Sequence, residues 1–127
     1  MRYRIVLACL VLTALPVFGE QVRHDAGVWR TAAPATMKRT EVAAATVGGK
    51  IYVVGGFEQP SLGNVLNFAI TPAVEEYDPA VDRWTTKASM RVGLHHMGTG
   101  VAGGRLYIIG GYKQSGLSVW GPVATVY

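Results

Sequence analysis

Cysteine is almost absent from this chain: Cys9 is the only one in 127 residues. No disulfide framework can therefore be drawn, and a domain exported without one must hold itself by core packing or by assembly. Asn-x-Ser/Thr acceptors are missing as well, so glycosylation is not implied. Charge is sparse, at 16% of residues, with no run of Lys or Arg. That excludes the basic stripe nucleic acid demands, and no nucleic-acid partner is expected. No apolar run reaches the roughly 20 residues a membrane-spanning helix needs; Ile5 to Phe18 has only 14. Beyond that run no segment carries helical periodicity.

What is present begins with a leader. Arg2 and Arg4 precede the apolar stretch Ile5–Leu15, Pro16 breaks it, and Val17-Phe18-Gly19 supplies a cleavage site before Glu20. Residues 1–19 therefore read as a signal peptide and 20–27 as a polar connector. The expected destination is secreted or periplasmic, with no stable membrane span after cleavage. With Arg2 and Arg4 gone, ten basic and eight acidic residues remain, a formal +2.

The main signal is a repeat. Gly48-Gly49-Lys50-Ile51-Tyr52-Val53-Val54-Gly55-Gly56 recurs as Gly103-Gly104-Arg105-Leu106-Tyr107-Ile108-Ile109-Gly110-Gly111, 55 residues on, and Trp29 and Trp84 keep the same offset. A period of that length marks units that cannot bury their own faces and must stack on neighbours. Each first diglycine is a two-residue hairpin signal, because tight hairpin turns need positive φ. The strands expected are 28–32, 41–47, 50–54, 74–77, 83–86, 95–101 and 105–109, with a last one beginning at Thr125. Asp78-Pro79-Ala80-Val81-Asp82 is a turn. Phe57–Ala73 and Tyr112–Ala124 read as long loops, broken by Pro and Gly.

An apolar strand ending in Gly-Gly, then Tyr77-Asp78-Pro79 and Asp82-Arg83-Trp84, resembles the kelch repeat, and the resemblance covers roughly residues 28–127. It implies an all-β fold: kelch β-propeller blades of four antiparallel strands around a central axis. Residues 28–32 would be an outer strand, 41–86 a full repeat and 95–127 an incomplete one, about two blades' worth. Since propellers close with 4–8 blades, this length makes an incomplete ring. A fragment of a larger propeller, or a homo-oligomer if the chain is complete, is the expectation. Gly55, Gly56, Tyr77, Asp78, Asp82, Trp84, Gly110 and Gly111 are then motif residues with structural roles.

Candidate binding residues are Arg39, Glu41, Phe57, Arg91, His96, Tyr112 and Trp120. In the repeat register Glu41 and His96 are equivalent, near the mouth of the channel in the resembled family. His95-His96 could be a metal pair, but neighbours on a strand point to opposite faces, so the preferred reading is one packed ring and one solvated ring. Arg39 and Arg91 could hold a carboxylate bidentately, or be loop cations paired locally. Phe57, Tyr112 and Trp120 lie in long loops, where aromatics favour contact with partners. No nucleophile motif accompanies the serines. The cysteine–tyrosine cross-link of the copper-radical relatives is excluded once Cys9 leaves. No catalytic residue, metal or cofactor is expected. The function expected is a non-catalytic module binding a protein or glycan; the alternative is a carbohydrate-active enzyme such as a sialic-acid (sugar-acid) mutarotase, with Arg39, Glu41, Arg91 or His96 supplying its polar groups.

Overall fold

The structure is a computed structural model that describes residues 27–127. The leader at 1–19 and nearly all of the connector at 20–27 lie outside the described residues. The chain divides into two units, Met1–Arg30 and Thr31–Tyr127. Residues 27–30 of the first carry no regular secondary structure. Everything below concerns the second.

Four strands make one antiparallel sheet: β2 (Ala43–Val47), β3 (Lys50–Val54), β5 (Val74–Asp78) and β6 (Arg83–Lys87), in the order β2-β3-β5-β6. The alternation of Ile51 and Val53 with Tyr52 and Val54 lets β3 pack on both faces, with Val54 buried. Gly48 and Gly49, at φ +58° and +78°, close the first hairpin as the diglycine requires. In the register Ile51 faces Tyr77, and Tyr77 faces Trp84. This is one full propeller blade.

The second repeat builds the same start. Strands β7 (Gly98–Ala102) and β8 (Arg105–Ile109) pair across the Gly103-Gly104 turn. The third strand is begun where Ile109 bridges Val126 and Ile108 exchanges both backbone hydrogen bonds with Tyr127. The ring is not closed.

The loops contain more order than the sequence suggests. Within 57–73, β4 (Phe57–Glu58) pairs with β1 (Arg39–Thr40), and a 3₁₀ turn covers Val65–Asn67. Within 112–124, β9 (Tyr112–Ser115) and β10 (Ser118–Pro122) form a bulged hairpin rather than a loop. Gly116 supplies its positive φ, and Gly121 sits where a Cβ would come 2.9 Å from the Lys113 carbonyl. Residues 28–32, expected as an outer strand, carry no strand. An isolated segment with no neighbouring ladder leaves its backbone groups to water and gains nothing by extending.

The core sits between the two repeats: Ala43 and Val54 from one, Leu94, Met97 and Ile108 from the other. Leu94 is fully buried, which alone stabilises the junction by about 1.5–3 kcal/mol. The backbones approach closely here. Gly56 N–H donates to Leu94 O at 2.8 Å, and a Cβ on Gly55 would stand 2.4 Å from the same oxygen. The second diglycine of the first motif thus permits contact between repeats as well as a turn.

Candidate functional site

Equivalent positions of the two repeats meet at one rim of the junction. Glu41 and His96 both adopt left-handed backbone, φ +54° and +52°. That conformation carries a cost for any residue with a Cβ. It swings His96 out of strand alternation and lets its N–H donate to Glu41 O at 3.3 Å. Its Nε2 lies 3.0 Å from Glu41 Oε2. The same twist brings the two imidazoles together, His95 Nδ1 to His96 Nδ1 at 2.7 Å. The pair still divides into one packed and one solvated ring, while φ > 0 at His96 lets the two rings meet. His95 is wholly buried, whereas the His96 side chain is 38% exposed. His95 Nε2 reaches the Val119 carbonyl at 2.8 Å.

Aromatic rings surround this pair. Phe57 lies 4.4 Å from the His95 ring, Tyr112 stacks on it at 5.9 Å, and Trp120 meets it edge-on at 5.4 Å. Trp120 and Tyr112 stand nearly perpendicular, 5.3 Å apart. The position of Phe57 follows from β1–β4 pairing, Thr40 against Phe57, and that of Tyr112 from the equivalent bridge to His95. Glu41, Phe57, His96, Tyr112 and Trp120 therefore form one cluster, with His95 at its centre. Trp120 remains 57% exposed and offers a contact surface.

The two arginines are elsewhere. Arg39 is spent inside the first blade, its side chain 2% exposed. Its guanidinium donates to Glu75 Oε2 at 2.5 Å, to Gly55 O at 3.0 Å and to Ala73 O at 3.1 Å. Glu75 is fully buried and also accepts from the Thr36 backbone and hydroxyl. A guanidinium buried and held by these bonds is not open to a ligand, which corrects its candidacy. Arg91 is exposed and lines a cleft of about 240 Å³ with Ile70, Pro72 and Lys113, whose lining includes no aromatic ring.

The motif residues knit the outer strands. Tyr77 O–H donates to Asp82 at 2.6 Å, Asp82 accepts from Ala33 N–H at 2.7 Å, and Trp84 Nε1 donates to Ala33 O at 2.8 Å. The Tyr77 hydroxyl, then the Ala33 N–H, hold Asp82 below the usual carboxylate range. Asp78 caps its own turn through Ala80 N–H. Beside it Glu76 accepts from Tyr52 and pairs with Lys87 and Lys50. The tyrosine hydrogen bond first, and then the lysines, pull Glu76 down to about 2.

Sequence reasoning missed the contact between the loops. Gln114 Nε2 donates to Leu66 O in the first loop and to Gly116 O at the tip of the second, both at 3.1 Å. Leu62, Leu66 and Leu117 are almost fully exposed around this tie. The available signal was charge: residues 59–73 and 114–127 contain no Asp, Glu, Lys or Arg.

Comparison with known proteins agrees with this architecture. A family model described as the Kelch motif matches residues 38–67. Kelch-like protein terF of Aspergillus terreus is 33% identical over 99 residues, covering 74% of this chain and 21% of that protein. N-acetylneuraminate epimerase of Pasteurella multocida is 38% identical over 79 residues, 61% of this chain and 20% of that protein. The solved structure of YjhT matches with a TM-score of 0.50 at 25% identity, covering 60% of this chain and 21% of that one. The chain spans about a fifth of the length of these relatives. With the motif, the relatives, the solved neighbour and the four-stranded sheet in agreement, the chain belongs to the kelch-repeat family.

Proposed function

We propose that this chain is part of an exported kelch propeller that binds a partner protein through the face carrying its two long loops. The observation that carries the reading is the pair of charge-free segments, 59–73 and 114–127, tied by Gln114, with Leu62, Leu66, Leu117 and Trp120 exposed. Large apolar side chains left exposed on charge-free segments point to an interaction site. Depletion of charge is a compositional mark of an interface core. Such a contact depends little on salt, because no ion pairs contribute to it. Export is read from residues 1–19.

The test is binding of the full chain to arrayed exported proteins and glycans. Saturable protein binding should persist between about 0.05 and 0.5 M salt. It should fall at least about tenfold on Trp120→Ala or Leu117→Asp, the loss expected of a contact residue at an interface centre. Indifference to both substitutions removes this face from the proposal.

A second reading has one specific observation behind it, the 38% identity to a protein named N-acetylneuraminate epimerase. In that reading His96 and Glu41, which meet at one rim of the junction, would face a sugar acid. Anomer interconversion followed by NMR decides. No acceleration over buffer by a closed propeller containing this segment ends it.

A further inference from the structure

We infer that the cleft lined by Arg91 and Lys113 is a site for a small organic carboxylate, a second site that does not depend on protein binding by the loops. The first observation is where charge falls along the chain. All eight Asp and Glu residues precede Arg83, whereas residues 83–127 hold five Arg or Lys and no acid. Such an imbalance between halves points to an anionic partner for the basic one. Arg91 and Lys113 bring two of those five cations to one cleft. The second observation comes from the repeat. At the offset of 55, Met37, Lys38, Glu58 and Gln59 correspond to Val92, Gly93, Lys113 and Gln114. Both sets line clefts, of about 280 and about 240 Å³. The first cleft holds one charge of each sign, and its Glu58 accepts from Asn64 Nδ2 at 3.3 Å. The second holds two cations and no carboxylate. Among the described residues neither Arg91 nor Lys113 has a hydrogen bond or an ion pair.

The equivalent of Arg91 in the first repeat is Thr36, which donates its N–H and hydroxyl to Glu75. Backbone pairing gives the second repeat Tyr127 at the place of Glu75, so Arg91 meets no internal carboxylate. The backbone fixes the cleft on both sides. Met90 N–H donates to Pro72 O at 2.9 Å, and His95 and Tyr112 exchange both backbone hydrogen bonds, which holds residues 91–93 and the start of β9 in one frame. Gly93 lies against Ile70, where a Cβ would come 2.9 Å from the carbonyl oxygen. Ile70, Pro72 and Val92 supply apolar walls. Gln114 also lines the cleft, but its amide nitrogen is committed to Leu66 O and Gly116 O. The side-chain donors left are a guanidinium and an ammonium. A guanidinium suits a planar carboxylate, which it holds through two parallel N–H···O bonds. The volume lies below the roughly 300–1,000 Å³ of pockets for larger ligands. It suits a carboxylate at the cations with a short apolar body on Ile70 and Val92.

The experiment is a ¹H–¹⁵N NMR titration of the full chain with isovalerate, and in parallel with isovaleramide, which has the same branched body and no charge. Isovalerate should give saturable shifts at the Gly93 backbone amide and the Gln114 side-chain amide; isovaleramide should give none at the same concentrations. Arg91→Gln and Lys113→Gln should each weaken binding about fivefold, the worth of one exposed charge at contact distance. The Trp84 indole, bonded to Ala33, reports an intact fold in both variants. Raising sodium chloride from about 0.05 to 0.5 M should weaken the response, the opposite of the behaviour expected of the loop face. Equal shifts with isovaleramide, or undiminished binding in both variants, would overturn the site. Inorganic sulfate binding as tightly as isovalerate would show recognition of charge alone and overturn the carboxylate assignment. Absence of any protein partner, with the isovalerate response intact, removes the loop-face reading and leaves this site standing.

Discussion

The two repeats hold equivalent positions with opposite chemistry. Where the first repeat has Arg39, the second has Leu94; where backbone pairing puts Glu75 opposite Val53, it puts Tyr127 opposite Ile108. The first blade is thus locked by a buried ion pair, Arg39–Glu75, whose remaining donors reach three backbone carbonyls. At its equivalent position the second repeat is locked by a fully buried leucine against the neighbouring diglycine. Polar and apolar solutions fill the same place because the backbone frame, two positive-φ glycines and a bridging strand, is common to both. The frame belongs to the repeat; the filling belongs to each blade.

The sharpest way to break the comparison is to transplant one filling into the other blade. Arg39→Leu should leave Glu75 buried without its countercharge and cost roughly 3–5 kcal/mol in urea unfolding. Adding Glu75→Tyr, which completes the pair of residues found in the second repeat, should recover a large part of that loss. If the double variant is no better than the single one, the two fillings are not alternatives and the comparison fails.

Leu94→Ala probes the other side. It removes a side chain at 0% exposure from the core between repeats, and about 2–5 kcal/mol of stability should go with it. The diglycines come next. Gly55→Ala would drive a Cβ to 2.4 Å from a backbone oxygen of the neighbouring repeat, whereas at Gly110 the nearest atom is 3.2 Å away. Both have φ near +60°, so Gly110→Ala should cost only the backbone term of about 1–2 kcal/mol. Gly55→Ala should cost clearly more; equal melting shifts would show that the second glycine pair is packed as tightly as the first.

What could be read in the sequence tracks what the repeat itself dictates. Strands 50–54, 83–86 and 105–109 and both diglycine hairpins follow from periodicity and turn chemistry. The destination of Arg39 does not, because its partner lies 36 residues away, on the third strand of the blade. Nor does the meeting of His95 with His96: it depends on a left-handed His96, a conformation with no local residue signature outside Gly, Asn and Asp. The 112–122 hairpin was hidden because its turn has only Gly116 to announce it and a bulge disrupts its alternation. Glu41, Phe57, Tyr112 and Trp120 come from three separate segments, and the junction between repeats is what brings them together.

A smaller difference concerns acid. Only the first repeat is described through its outer strands, and there Glu76 carries the hydrogen bond from Tyr52 and the Lys50 and Lys87 pairs. Folding lowers its ionisation to about 2 from the ordinary 4.5. A carboxylate depressed on folding contributes stability that is fully present above its unfolded value and lost as pH falls through its folded one. Melting temperature should therefore fall as pH drops from about 4.5 toward about 2. Glu76→Gln should flatten that slope, and Tyr52→Phe should flatten it in part because the largest contribution is gone. An unchanged slope in Glu76→Gln assigns the acid response to another carboxylate.

The smallest expected effect tests what holds the repeats to each other. Thr99 Oγ1 donates to the Ala44 carbonyl at 3.0 Å, linking equivalent positions on the innermost strands of adjacent blades. The bond is exposed, so water replaces it when it is lost. Thr99→Val keeps the β-branched shape that suits β7 and should cost no more than about 1 kcal/mol. Set beside Leu94→Ala, the ratio says whether apolar burial or strand-to-strand polar contact fastens one blade to the next. A loss at Thr99 as large as that at Leu94 would reverse the ranking, and would make the innermost strands, rather than the core around Leu94, the seam of the junction.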